Sequence, residues 1–132
     1  MGIVTALYVA AGGALGSVSR YGMAQLALML FPDRTHLTNW IGTLSVNVLG
    51  SFLIAFLTVA IRAALPDKTF LFPLLTVGFC GGFTTFSTFA LDGVKLYQGG
   101  DVRGAIFYVL LSLILSVLSV FLGFRAAERL FG

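Results

Sequence analysis

Charge is scarce in this chain. Asp, Glu, Lys and Arg make up 10% of its 132 residues, against roughly a quarter in a soluble domain. So few charges cannot clothe a soluble surface. A single Cys and a single His exclude an intrachain disulfide and a metal cage of spaced Cys and His. No nucleophile–base pair of the kind that covalent catalysis needs is visible. The net charge is +3, from eight bases and five acids. The bases are scattered, without the clustering or aromatic interleaving that tracks nucleic-acid phosphates. GGALGS at 12–17 is glycine-rich, yet it is not G-x-G-x-x-G, and no Lys-Ser/Thr pair follows it. The opening MGIVTALYVAAGGALG has no basic start, and its apolar run continues too far for a cleaved leader, so it is expected to be a first span.

What the chain has in quantity is apolar surface: 58% hydrophobic residues and a mean hydropathy of +1.02. A spanning helix needs roughly 20 apolar residues. Four segments meet that length, at about 3–30, 40–60, 70–97 and 105–124. Short polar breaks, FPDRTHLTN, RAALPDK and QGGDVRG, separate them. The spans use nearly the whole sequence, so residues 1–132 are expected to form one all-α, four-helix transmembrane domain. Continuous apolar runs, rather than alternation, argue against a β-barrel. Arg62, Lys68, Arg125 and Arg129 fall on one side and Arg34, Lys95 and Arg103 on the other, which is almost no positive-inside bias. That balance fits either a weakly specified single orientation or dual topology, in which inverted copies pair. Pairing is expected, because four short helices leave little interior in which to hide a polar path. Inverted symmetry is a known transporter device.

Polar groups inside the spans mark candidate functional positions, because ionisable residues there cost roughly 2.5–3.5 kcal/mol on insertion scales. Arg20 either snorkels to a headgroup or lines a vestibule that attracts anions. Asn47, with Thr43 one turn before it, either bonds a neighbouring helix or faces a pore. Tyr108, Ser112 and Ser116 recur every four residues on one stripe. They either bond back to carbonyls of their own helix or form a polar track. Gly12/Gly16 and Gly78/Gly82 are G-x-x-x-G pairs suited to close helix contact. The single Cys, Cys80, is expected to be a small buried residue of the third span.

The densest feature is GGFTTFSTF at 81–89. Each Gly lowers helix stability by about 1 kcal/mol relative to Ala, so Gly81-Gly82 predicts a third helix broken in mid-membrane. Such a break is tolerated only where protein or a cavity satisfies it. Freed carbonyls suit a cation and freed N–H groups an anion. Thr84 and Thr85 can cap the restarted helix. Phe86 and Phe89, three apart, share a face. Their positive ring edges attract an anion weakly, as conduction requires, although the same spacing also serves ordinary packing. Asp92 is the sole acid well inside an apolar segment. The first span has none, whereas a proton-coupled multidrug carrier would want a central carboxylate there.

Taken together, GGALGSVSRY at 12–21, GTLSVNVLG at 42–50, GFCGGFTTFSTF at 78–89 and the serine stripe of the last span resemble the Fluc-type fluoride channels of the CrcB family. The resemblance covers nearly the whole chain. It implies an antiparallel, dual-topology homodimer with two pores in a prokaryotic cytoplasmic (inner) membrane. The implied activity is passive fluoride export that lowers cytoplasmic fluoride, not catalysis. It also implies that Phe86, Phe89, Asn47, Arg20, Thr43, Tyr108, Ser112 and Ser116 line the fluoride path. A structural sodium ion would be held at the dimer centre by the backbone carbonyls of Gly81 and Thr84. Three positions depart from the family pattern: Asp92 replaces Glu, Ala90 replaces a common Ser, and Val120 replaces a Thr that continues the track. These departures bear on rate and on the ion's exit route. The alternative is a small dual-topology secondary transporter of cationic drugs.

Overall fold

The computed structural model describes residues 2–32 and 35–132, with no side-chain description for 35–39. Arg34 and the His36 side chain therefore lie outside the described residues. The chain is helical: α1 (Ile3–Leu30), α2 (Thr35–Ala64), α3 (Phe72–Cys80, continued by the turn Gly81–Phe83), α4 (Phe86–Gln98) and α5 (Val102–Phe131). No strand occurs among the described residues. By length and composition, Ile3–Leu30, Trp40–Ala64, Phe72–Gln98 and Val102–Phe131 can each cross a membrane. The third of these contains both α3 and α4. Helix α2 begins at Thr35, inside the segment read from sequence as the first loop.

Local chemistry sets the connections. The last turn of α2 closes with Leu65 N donating to Ile61 O, and Pro66, which has no N–H, cannot extend it. Between α4 and α5 the chain reverses at Gly100, whose φ of +87° suits glycine. Asp101 then caps α5, its Oδ1 accepting from Gly104 N at 2.8 Å. Phe72–Cys80 is wound as a π-helix, in which each N–H reaches one residue further back than in an α-helix. The Thr76 hydroxyl donates to Phe72 O, four residues earlier.

Small residues bring α1 and α3 together. A Cβ on Gly12 would lie 1.9 Å from Leu74 O, and one on Gly16 would lie 2.2 Å from Phe79 O. From the other side, a Cβ on Gly82 would lie 2.5 Å from Gly13 O. The two G-x-x-x-G pairs thus face each other at backbone contact, as the sequence predicts. Helices α2 and α5 meet in the same manner, where a Cβ on Gly123 would lie 2.4 Å from Phe52 O. Cys80 is buried.

The interruption of the third span is present, but not at the predicted residues. Gly81 has helical angles (φ −64°, ψ −37°), and Gly81–Phe83 continues the helix. The extended residues are Thr84 (φ −86°, ψ 160°) and Thr85 (φ −153°, ψ 122°). Gly82 serves close approach to α1 rather than breakage. The break falls three residues later, where the opposite helix supplies polar partners.

Candidate functional site

Thr84 and Thr85 expose backbone groups at membrane depth, and each exposed group needs a partner. Asn47 of α2 meets two of them. Thr85 N donates to Asn47 Oδ1 at 2.8 Å, and Asn47 Nδ2 donates to Thr85 O at 3.0 Å. This double bond holds the chain extended between α3 and α4. Thr85 is also the N-cap of α4: its Oγ1 accepts from Thr88 N at 3.2 Å and donates to Thr88 Oγ1 at 3.0 Å. Thr84 closes α3, with both its N and its Oγ1 donating to Cys80 O. The carbonyl of Thr84 accepts no hydrogen bond from any described residue. Thr85 therefore caps the restarted helix as the sequence predicts, whereas Thr84 closes the helix before the break. The clamp from Asn47 settles its partner: it bonds the neighbouring segment.

A cavity of 320 Å³ opens beside this break. Its walls include Asn47, Gly81, Thr84, Thr85, Phe86, Phe89, Ser112 and Ser116. Six of the eight predicted ion-path positions bear on this region. Asn47, Phe86, Phe89, Ser112 and Ser116 line the cavity, and Tyr108 lies behind Phe89. Arg20 and Thr43 instead border a second cavity of 280 Å³, with Ser17, Tyr21 and Thr88. Thr85 is common to both cavities, so the clamped residue is the point where they adjoin.

The rings form a row. Phe86 and Phe89 have centroids 5.5 Å apart at an interplanar angle of 50°. Phe89 lies 5.4 Å from Tyr108, and Tyr108 lies 5.4 Å from Trp40. Three helices contribute: α4 gives the phenylalanines, α5 the tyrosine and α2 the tryptophan. Tilted rings present edges, which are the positive part of an aromatic quadrupole. Phe86, at one end, is 77% exposed on the isolated chain, while Phe89 and Tyr108 are buried.

Thr43 Oγ1 donates to Asp92 Oδ2 at 2.6 Å, joining α2 to α4. Asp92, the sole acid well inside an apolar segment and a departure from the family pattern, is 5% exposed. Trp40 and Thr85 were not among the candidate residues. Trp40 is three residues before Thr43 and seven before Asn47, so the three share one face of α2. That spacing was the available signal. No group of three or more Cys, His, Asp or Glu able to hold a metal occurs among the described residues.

Four spanning helices, one of them interrupted beside a cavity with mixed aromatic and hydroxyl walls, define a multi-pass membrane protein of the channel or carrier class. The family model described as CrcB-like protein, Camphor Resistance (CrcB), matches residues 7–124. A relative from Thermus thermophilus is 44% identical over 137 residues, covering 100% of both chains. One from Paracoccus denitrificans is 43% identical over 127 residues, 96% of this chain and 97% of its own. One from Agrobacterium fabrum is 41% identical over 127 residues, 93% of this chain and 95% of its own. Each carries the name fluoride-specific ion channel FluC. The chain belongs to the CrcB family, and it is a multi-pass protein of the cell membrane.

Proposed function

We propose that the chain conducts fluoride passively across the cell membrane and so lowers the fluoride concentration of the cytoplasm. The observation that carries this is the row Phe86–Phe89–Tyr108 set beside the interrupted helix and its cavity. A full positive charge along the row would hold a small anion too tightly to release it. Ring edges and neutral N–H or O–H donors bind weakly at several places, which conduction needs. Arg20 raises the local anion concentration at the neighbouring cavity. The Asn47 amide has two protons. One is given to Thr85 O, which leaves the other for the cavity that Asn47 lines. Ser112 and Ser116 continue the donors along α5 and Tyr108 extends them, up to Thr43, whose hydroxyl donates to Asp92.

The chain works as an antiparallel homodimer with two such paths. The exposure of Phe86 supports this, because a ring that guides an ion requires a second wall and the isolated chain leaves it 77% open. A structural sodium ion fits the interrupted helix. The Thr84 carbonyl accepts no hydrogen bond from a described residue, and Gly81 and Thr84 both border the cavity. Hard backbone oxygens there would suit a hard monovalent cation. Bound there, sodium supplies fixed positive charge that holds two chains in register.

The test is ion efflux from liposomes that contain the purified protein. Rapid fluoride efflux with little chloride efflux is expected, with no dependence on an imposed proton gradient. Efflux of both ions at equal rates, or strict dependence on the proton gradient, would overturn the proposal. The dimer is tested separately by tagging both termini and mapping their sidedness. Labels on both faces are expected, and a single face contradicts the inverted pair.

A further inference from the structure

A third cavity, of 310 Å³, lies at the connection between α2 and α3, and none of its wall residues borders the two cavities at the helix break. Its wall includes Arg62 of α2, Leu65, Lys68 and Thr69 of the connection, and Phe72 at the start of α3. The second span ends at Ala64 and the third begins at Phe72. The cavity therefore sits where the chain leaves the membrane and re-enters it, at headgroup depth.

Two bases meet there. The Arg62 guanidinium lies over the Phe72 ring, 5.4 Å from its centroid, within cation–π range. That contact holds the charge at the cavity wall and leaves the planar fork of N–H groups for a partner. Lys68 supplies a second charge and Thr69 a hydroxyl. Among the described residues, neither basic side chain forms an ion pair or a hydrogen bond. Asp67, the one acid between residues 61 and 72, does not border the cavity.

Charge and shape together select the ligand. Two unpaired cations and a hydroxyl suit an oxyanion, and the guanidinium fork matches phosphate geometry. A water's share of the liquid is about 30 Å³, so the cavity has room for far more than a halide ion. The rest of its wall is apolar: Ile61, Leu65 and Phe72, with Leu65 43% exposed. A phosphate that carries hydrocarbon uses both parts of the wall, whereas a free phosphate uses only the basic part. Basic pockets between spanning helices at the membrane surface bind anionic headgroups.

We propose that Arg62, Lys68 and Thr69 hold the phosphate of an anionic phospholipid, with its glycerol and upper acyl carbons against Leu65 and Phe72. The site rests on the membrane-spanning fold and not on the fluoride reading. A lipid seated there binds the folded chain only, and so stabilises the joint between the second and third spans.

The test is native mass spectrometry of the full chain in detergent, titrated with phosphatidylglycerol or with phosphatidylcholine of the same acyl chains. Saturable binding of phosphatidylglycerol is expected, about tenfold tighter than phosphatidylcholine, because two bases favour the lipid with net negative charge. Arg62→Gln should raise the Kd for phosphatidylglycerol about tenfold, the loss of a charge-assisted contact. Lys68→Gln should weaken it in the same direction. Arg103→Gln, at the opposite membrane face, should leave it within about twofold, because screening confines a base's influence to its surroundings. Equal affinity for the two lipids overturns the site, and so does equal weakening by Arg103→Gln. Displacement of phosphatidylglycerol by an equal concentration of inorganic phosphate overturns the lipid as occupant. If Arg62→Gln does not fold, Lys68→Gln and the comparison of the two lipids decide the matter.

Discussion

Replacing Asn47 by Ala removes both ends of the clamp on Thr85. The two bonds, at 2.8 and 3.0 Å, satisfy a backbone N–H and a backbone C=O on an extended residue inside a span. Leaving a buried polar group unpaired costs about 1–3 kcal/mol, so the pair of losses amounts to about 2–6 kcal/mol. Asn47→Asp separates the two contributions. A carboxylate oxygen still accepts from Thr85 N, but nothing donates to Thr85 O, so about half the cost remains, or about 1–3 kcal/mol. Its negative charge at the cavity also repels an anion, so efflux should fall further than the stability loss accounts for. Unfolding in mixed micelles with rising denaturing detergent, read alongside fluoride efflux, measures both quantities. An Asn47→Ala protein within about 0.5 kcal/mol of wild type, the range of an ordinary surface change, would refute the view that Asn47 holds the break.

Adjacent glycines of α1 should respond in opposite ways. Gly12→Ala drives a Cβ to 1.9 Å from Leu74 O and should destabilise by about 1–3 kcal/mol, as overpacking does. Gly13→Ala, whose nearest neighbour would be at 3.9 Å, should be neutral in the same unfolding assay. Thr43→Val keeps the shape and deletes the donor to Asp92, which should cost about 1–3 kcal/mol by stranding a buried carboxyl oxygen; Thr43→Ser should restore most of it. Exchanging sodium for a large organic cation on both sides of the liposome should abolish fluoride efflux, and returning sodium should recover it.

Length and hydropathy made the spans legible, because a bilayer admits few solutions for long apolar runs. The glycine contacts were equally legible: G-x-x-x-G spacing fixes a face, and Gly12, Gly16, Gly78 and Gly82 have that face in contact. The position of the break was not. Helix propensity singles out Gly81-Gly82, yet tertiary packing overrides propensity, and Gly82 stays helical against Gly13. The extended pair is decided by Asn47, 38 residues from Thr85 in sequence, and a local stretch does not contain that information. The π-winding of Phe72–Cys80 carries no local composition signal either. The row beyond Phe89 was half visible. Its Tyr108 end was marked by the serine stripe, whereas Trp40 reaches it only because α2 and α5 place the two rings together.

The central claim is that fluoride crosses along the edges of Phe86 and Phe89. Its most direct test compares fluoride efflux through wild-type protein with efflux through Phe86→Ile, Phe89→Ile and the double variant, in liposomes containing equal amounts of folded protein. Isoleucine keeps apolar bulk and removes the ring quadrupole, so the prediction is a loss of about tenfold or more in each single variant, with elution and unfolding unchanged. Fluoride efflux at the wild-type rate in the folded double variant would contradict it.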